Sequence, residues 1–136
     1  MNQPDSHRFE NLMIIDDNTI DLYLASRLLA KNKVAKNILQ YSSAVEALQY
    51  LQENCHDTGK LPAIILLDIY MPIMDGFEFM EAYEGLHAEF KGQCRVFMLS
   101  SSIDASDIDK ANSNTDIKAF YTKPISTAML DAIQNC

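Results

Sequence analysis

The chain has 136 residues, 48% of them apolar and 22% charged, a composition that fits one ordinary globular domain and excludes disordered, collagen-like and membrane-spanning classes. Eleven basic against 19 acidic residues leave a formal charge of −8, which repels phosphate backbones and anionic bilayers, so neither nucleic acid nor a membrane is an expected partner. Cys55, Cys94 and Cys136 are odd in number and lack CxxC spacing, as expected of free thiols in a reducing compartment, and the polar start of the chain resembles no export signal, so we expect a cytoplasmic protein.

In chain order, the first predicted strand is the apolar run 12–15, which ends at Asp16-Asp17. Asn18 is a candidate N-cap for the helix that follows, whose apolar stripe is expected at Ile20, Leu24 and Leu28. A weaker run at 37–41 is the second strand. Behind it, Ser43 is a candidate cap for a helix with a stripe at Ala44, Ala47, Leu48 and Leu51. The third strand, 63–67, ends at Asp68, and Asp75-Gly76 turns the chain into a helix patterned at Phe79, Ala82, Tyr83 and Leu86. The fourth strand, 96–99, runs into Ser100-Ser101-Ser102, followed by a weakly patterned fourth helix near 104–111 and by a segment, 112–117, without the glycine expected before a strand. The fifth strand, 117–121, ends at Lys123-Pro124, and Ile125, Met129, Ala132 and Ile133 mark the last helix. Met71, Met74, Met80 and Met98 read as gap-filling residues, and His7, His56 and His87 as surface residues.

These strands lack alternation, as strands covered on both faces do. Their ends, at 15, 41, 67, 99 and 121, lie 26, 26, 32 and 22 residues apart, long enough each time for a helical crossover. The expected architecture is a three-layer α/β domain over residues 9–134 with a mostly parallel sheet and right-handed connections, preceded by a flexible tail at 1–8.

In such a sheet the carboxyl ends of the strands open into one crevice, which would gather Asp16, Asp17, Asp68, Ser100 and Lys123. Taken singly, each has a bland reading: Asp16-Asp17 as a turn, Asp68 as a cap, Lys123-Pro124 as a strand terminator. One shared site accounts for all of them together. Three adjacent carboxylates demand a cation or raised pKa values. With no histidine or cysteine beside them, an oxygen-only Mg²⁺ site is expected rather than zinc. A hydroxyl and an ammonium next to that ion suit phosphoryl transfer, with an aspartate as nucleophile.

These residues resemble the receiver domains of two-component response regulators, from Leu12-Met13-Ile14-Ile15-Asp16-Asp17-Asn18 through Leu67-Asp68-Ile69-Tyr70-Met71-Pro72-Ile73-Met74-Asp75-Gly76 to Met98-Leu99-Ser100 and Lys123-Pro124. The resemblance implies a doubly wound, flavodoxin-like (βα)5 fold with strand order 2-1-3-4-5, and a cis Lys123-Pro124 bond. It also implies that Asp68 accepts a phosphoryl group from a histidine kinase or a histidine phosphotransfer protein. Asp17 would ligate Mg²⁺ directly and Asp16 mainly through water, with Asp68 and the Tyr70 carbonyl completing the protein ligands. Lys123 and Ser100 would contact the phosphoryl group. Ser100 and Phe120 would form the switch that reshapes a face made of the fourth helix, fifth strand and fifth helix, and Tyr70 and Ser102 would tune hydrolysis. Serine in place of the frequent threonine keeps the hydroxyl, whereas Phe120 can act only through packing. The protein would then be a stand-alone switch, not an enzyme in the ordinary sense, with an unnamed protein target and a phosphorylation-dependent homodimer as one option. Two other readings compete. A haloacid-dehalogenase-like phosphatase would need a second carboxylate at position 70, which is tyrosine. A receiver-shaped interaction module that never takes phosphate would not need the full set of site residues.

Overall fold

The computed structural model describes residues 7–86, 88–101 and 104–135. The expected tail lies largely outside them, as do His87, Ser102 and Cys136. Five strands, β1 (Phe9–Ile15), β2 (Ala35–Tyr41), β3 (Ile64–Asp68), β4 (Arg95–Ser100) and β5 (Ile117–Thr122), pair in parallel in the order β2-β1-β3-β4-β5. The helices among the described residues are α1 (Thr19–Lys31), α2 (Ala44–Glu53), α3 (Gly76–Tyr83), α4 (Ala88–Gln93), α5 (Ala105–Ser113) and α6 (Thr127–Gln134). This is the doubly wound (βα)5 architecture with one helix more than the sequence patterning suggested. The additional turn, α4, occupies the longest interval between strands and buries Phe90 against the edge of Tyr83.

The pleat divides the core in two. Met13, Ile15, Ile65, Leu67, Val96 and Met98 point toward α2 and α3, while Leu12, Ile14, Ile64, Leu66, Phe97 and Leu99 point toward α1 and α6. Because both faces are covered, the central strand β3 is buried at every position, which explains its unbroken apolar run. Met71, Met80 and Met98 are buried and Met74 packs at the rim, in keeping with gap filling. Cys55 and Cys94 are free thiols.

Side-chain oxygens start the helices, as their types favour. Asn18 accepts from the amides of Ile20 and Asp21, Ser43 from Glu46, Asp104 from Asp107 and Ser126 from Met129, and Asp75 with Glu78 forms a reciprocal capping box. The missing glycine before β5 is replaced by Asn114, whose side chain accepts from the amide of Asp116 while its carbonyl accepts from that of Ile117.

Three stripes are corrected in part. On α1 the sheet-facing residues are Leu22, Ala25, Ser26 and Leu29, whereas Ile20 and Leu24 are 69% and 58% exposed. Ile20, Leu24 and Leu28 share one line of the helix; Ile20 and Leu24 are turned to solvent, whereas Leu28 is half-buried against the core on the α1 side of the sheet. Leu24 and Leu28 border a cleft of about 300 Å³, with Leu99 and Ile125 on its other lining. On α6 the buried residues are Met129, Leu130 and Ile133, with Ala132 exposed and Ile125 lying ahead of the helix. Leu86 likewise falls past the end of α3.

Candidate functional site

Parallel pairing brings the ends of β1, β3, β4 and β5 to one edge. Asp68 is the last residue of β3, Ser100 the last of β4, Asp16 and Asp17 follow β1 directly, and Lys123 follows β5. The ladder registers Ile15 with Leu67, Asp68 with Leu99 and Ser100 with Thr122, so adjacency along the sheet edge is imposed by the backbone. The peptide N–H of Lys123 donates to the Ser100 carbonyl at 2.9 Å, carrying the β4–β5 pairing one residue beyond the strand and anchoring the lysine. The Lys123-Pro124 peptide is cis, as the resemblance implies.

One carboxylate oxygen from each of Asp16, Asp17 and Asp68 lies within 4.8 Å of the other two. Asp16 and Asp68 are buried and Asp17 is exposed. The Asp16 carboxylate is held from both sides: Oδ1 accepts from the amide of Asn18 at 2.9 Å and Oδ2 from Lys123 Nζ at 2.6 Å. Lys123 Nζ also lies 3.5 Å from Asp68 Oδ2 and 3.2 Å from Asp21 Oδ2. Burial, opposed by Lys123 and reinforced by the charges of Asp16 and Asp17, lifts the Asp68 carboxyl to about 6. Burial depresses the Lys123 ammonium, but its hydrogen bond to Asp16 and the charges of Asp68 and Asp16 outweigh this and leave its pKa raised. The lysine is therefore a fixed cation.

This donor set fits a hard divalent cation: three carboxylates, no nitrogen or sulfur ligand, and one ligand open to solvent where water can complete the coordination. A single lysine does not neutralise the three carboxylates, and Mg²⁺ characteristically binds through a few carboxylates while keeping several waters.

The loop after β3 is pressed tightly against the site. The Gly76 amide donates to the Ile69 carbonyl at 2.7 Å, and a Cβ on Gly76 would lie 2.6 Å from the Asp68 carbonyl oxygen, so a side chain there would push on the backbone of Asp68 itself. Ile73, at the tip, adopts φ 72° and is 94% exposed, a conformation that β-branched residues avoid.

Of the remaining expected site residues, Ser100 is fully buried and Phe120 is half-buried against the α2/α3 side of the core. Tyr70 is half-exposed, and its hydroxyl donates to Asp107 of α5, a bond that heads the causes lifting the phenol to about 12. This contact fastens the loop carrying the Tyr70 carbonyl to the start of α5. Asp21, which meets Lys123, was not among the sequence candidates. It falls in the first turn of α1, and its amide is bonded by the Asn18 cap, so locally it reads as an ordinary helix-start carboxylate. Only the fold brings the lysine to it.

The family model described as "Response regulator receiver domain" matches residues 12–134. A response regulator receiver protein from Dyadobacter fermentans superposes with a TM-score of 0.81 at 30% identity, covering 93% of this chain and 96% of that one. The Mn²⁺-bound form of response regulator Rcp1 superposes with a TM-score of 0.71 at 19% identity over 93% of this chain and 90% of that one, a likeness of fold. The two-component response regulator ORR1 of rice (Oryza sativa subsp. japonica) is 26% identical over 129 residues, covering 92% of this chain, which spans 54% of that protein's length. No described helix is long and apolar enough to cross a membrane. With the strand order, the acidic cluster at the sheet's carboxyl edge and the match over residues 12–134 in agreement, the chain belongs to the response regulator receiver domains, the phosphorylation-controlled switches of two-component signalling.

Proposed function

We propose that Asp68 is the phospho-acceptor of this domain, taking its phosphoryl group from a histidine kinase or histidine phosphotransfer protein in a Mg²⁺-dependent reaction. The observation that carries the reading is the convergence of three carboxylates within 4.8 Å on a fixed ammonium 3.5 Å from Asp68. Asp16, Asp17, Asp68 and the Tyr70 carbonyl would hold the cation, which supplies charge neutralisation and aligns the phosphoryl oxygens.

The chain's own groups do the rest. An Asp68 carboxylate oxygen attacks phosphorus as the P–N bond of the donor phosphohistidine breaks, and the electron pair returns to the imidazole nitrogen. Lys123 turns its charge from the Asp68 carboxylate to the phosphoryl oxygens, and the Ser100 hydroxyl donates to one of them. The product is an acyl phosphate, and its negative charge lies on the phosphoryl oxygens, where Lys123 and the Ser100 hydroxyl meet it. Drawing Ser100 toward the phosphoryl group moves the end of β4, and Phe120, whose Cα partner in the β4–β5 ladder is Met98, follows by packing inward. The face that changes is formed by α5, β5 and α6. The domain acts as a binding switch of the cytoplasm, with self-phosphorylation and self-dephosphorylation as its only chemistry. Tyr70, which offers no carboxylate to serve as general acid, weighs against a phosphatase of the haloacid-dehalogenase type.

The test is incubation with Mg²⁺ and acetyl phosphate followed by intact-mass measurement, with Asp68→Asn as control. One base-labile phosphate per chain, absent from the variant, is expected. Turnover of many phosphate monoesters would favour the phosphatase, and no adduct with any donor would favour a module that works without phosphate.

A further inference from the structure

We propose that Asp21 is a positioning residue for Lys123: a carboxylate outside the cation-binding set that holds the ammonium when the cation displaces it from Asp16 and Asp68. This rests on the reading of Asp16, Asp17 and Asp68 as the cation site.

The geometry is specific. Lys123 Nζ meets three carboxylates, Asp16 at 2.6 Å, Asp21 at 3.2 Å and Asp68 at 3.5 Å, and the lysine side chain is only 12% exposed. Asp16 and Asp68 are the same groups whose oxygens converge with Asp17 on the cation position, so the ammonium and the cation compete for both. Asp21 does not belong to that cluster; it lies in the first turn of α1 and lines the cleft beside that helix. Its carboxylate is 40% exposed, against 4% and 7% for Asp16 and Asp68, so its own charge stays solvated whether or not the lysine is bound.

A buried cation that loses its partners is destabilised, because its desolvation is no longer offset. Without Asp21, every carboxylate within 4 Å of Lys123 among the described residues would be one the divalent cation requires. With Asp21 in place, the ammonium yields Asp16 and Asp68 while keeping one hydrogen-bonded anion. It also stays tethered beside Asp68, close to where the phosphoryl oxygens arrive. Asp21 therefore lowers the cost of cation entry through Lys123 rather than through contact with the metal.

The test is isothermal titration of Mg²⁺ into wild type, Asp21→Asn, Asp21→Glu, Lys123→Met and the double variant Asp21→Asn/Lys123→Met, with melting temperature recorded for each. We expect Asp21→Asn to weaken Mg²⁺ binding about three- to tenfold, and Asp21→Glu to recover most of it because it restores the anion. In the Lys123→Met background the same Asp21→Asn change should alter affinity by no more than about twofold. An equal loss in both backgrounds would mean that Asp21 acts on the cation directly and would overturn the proposal, as would unchanged affinity in Asp21→Asn while wild type binds Mg²⁺ normally. Failure of wild type itself to bind Mg²⁺ would overturn the cation site, and this inference with it. A merely structural role would lower the melting temperature of Asp21→Asn in both backgrounds and leave affinity unmoved.

Discussion

Lys123 Nζ lies 2.6 Å from Asp16 Oδ2, closing a pair between residues 107 positions apart. Because the lysine occupies an oxygen of the carboxylate cluster, it acts as an internal cation against which a divalent ion must compete. Lys123→Met is expected to lower the metal-free melting temperature by leaving three carboxylates without a counter-charge, and Mg²⁺ should restore much of the loss. Mg²⁺ affinity should rise several-fold. Phosphorylation by acetyl phosphate at saturating Mg²⁺ should slow by about 10²–10³, the range seen when one preorganised electrostatic donor is removed. Titration calorimetry, thermal melts and intact-mass kinetics check the three outcomes separately.

The raised Asp68 pKa has a defined sign in stability. The native state holds a proton on this group up to about pH 6, whereas an unfolded aspartate releases it near 3.8, so the native state binds more protons between these values. The contribution to stability is full below the lower value and fades as pH rises through about 6. Metal-free melts from pH 4 to 7 should show wild type losing stability relative to Asp68→Asn across that window. A constant difference would contradict the assignment. Mg²⁺ binding should weaken as pH falls below about 6, since the proton and the cation compete for one carboxylate.

Gly76 is required by proximity. Gly76→Ala drives a methyl against the Asp68 carbonyl and should cost about 1–3 kcal/mol by overpacking. Because the displaced backbone is that of Asp68, the proposed acceptor, Mg²⁺ affinity and phosphorylation should fall with it. Urea unfolding paired with Mg²⁺ titration measures both, and a stability loss with unaltered Mg²⁺ binding would show that the strain is absorbed elsewhere.

Ile73 sits in the left-handed region with its side chain in solvent, so little packing offsets the backbone strain. Ile73→Asn, which tolerates that conformation, should raise stability by about 0.5–1 kcal/mol and leave Mg²⁺ affinity unchanged. Urea denaturation reads the gain directly. A loss would mean that Ile73 makes contacts beyond the strain it carries.

Much of the fold was legible because its signals are local. Unbroken apolar runs, side-chain caps at Asn18 and Ser43, and intervals long enough for crossovers identify β-α units before any long-range contact is known. The convergence of Asp68, the two aspartates after the first strand and the lysine before the proline was legible as well, since each directly follows a strand end or completes one. The face of α1 was not legible. Ile20, Leu24 and Leu28 are spaced as a core stripe is, yet Leu22, Ala25 and Leu29 face the sheet, because helix rotation is set by what the whole sheet offers and not by one helix's periodicity. The small helix α4 escaped because its six residues are too short for a period to show.

From the order of residues alone come the parallel sheet, its five strands and the list of polar groups delivered to its carboxyl edge, because backbone pairing turns sequence position into position along that edge. Tertiary structure alone decided which of those groups touch: that Lys123 is shared among Asp16, Asp21 and Asp68, that Tyr70 reaches across to Asp107, and that Gly76 leaves room for the Asp68 carbonyl. Such contacts depend on side-chain reach and helix rotation across elements far apart in the chain, and no local pattern encodes either.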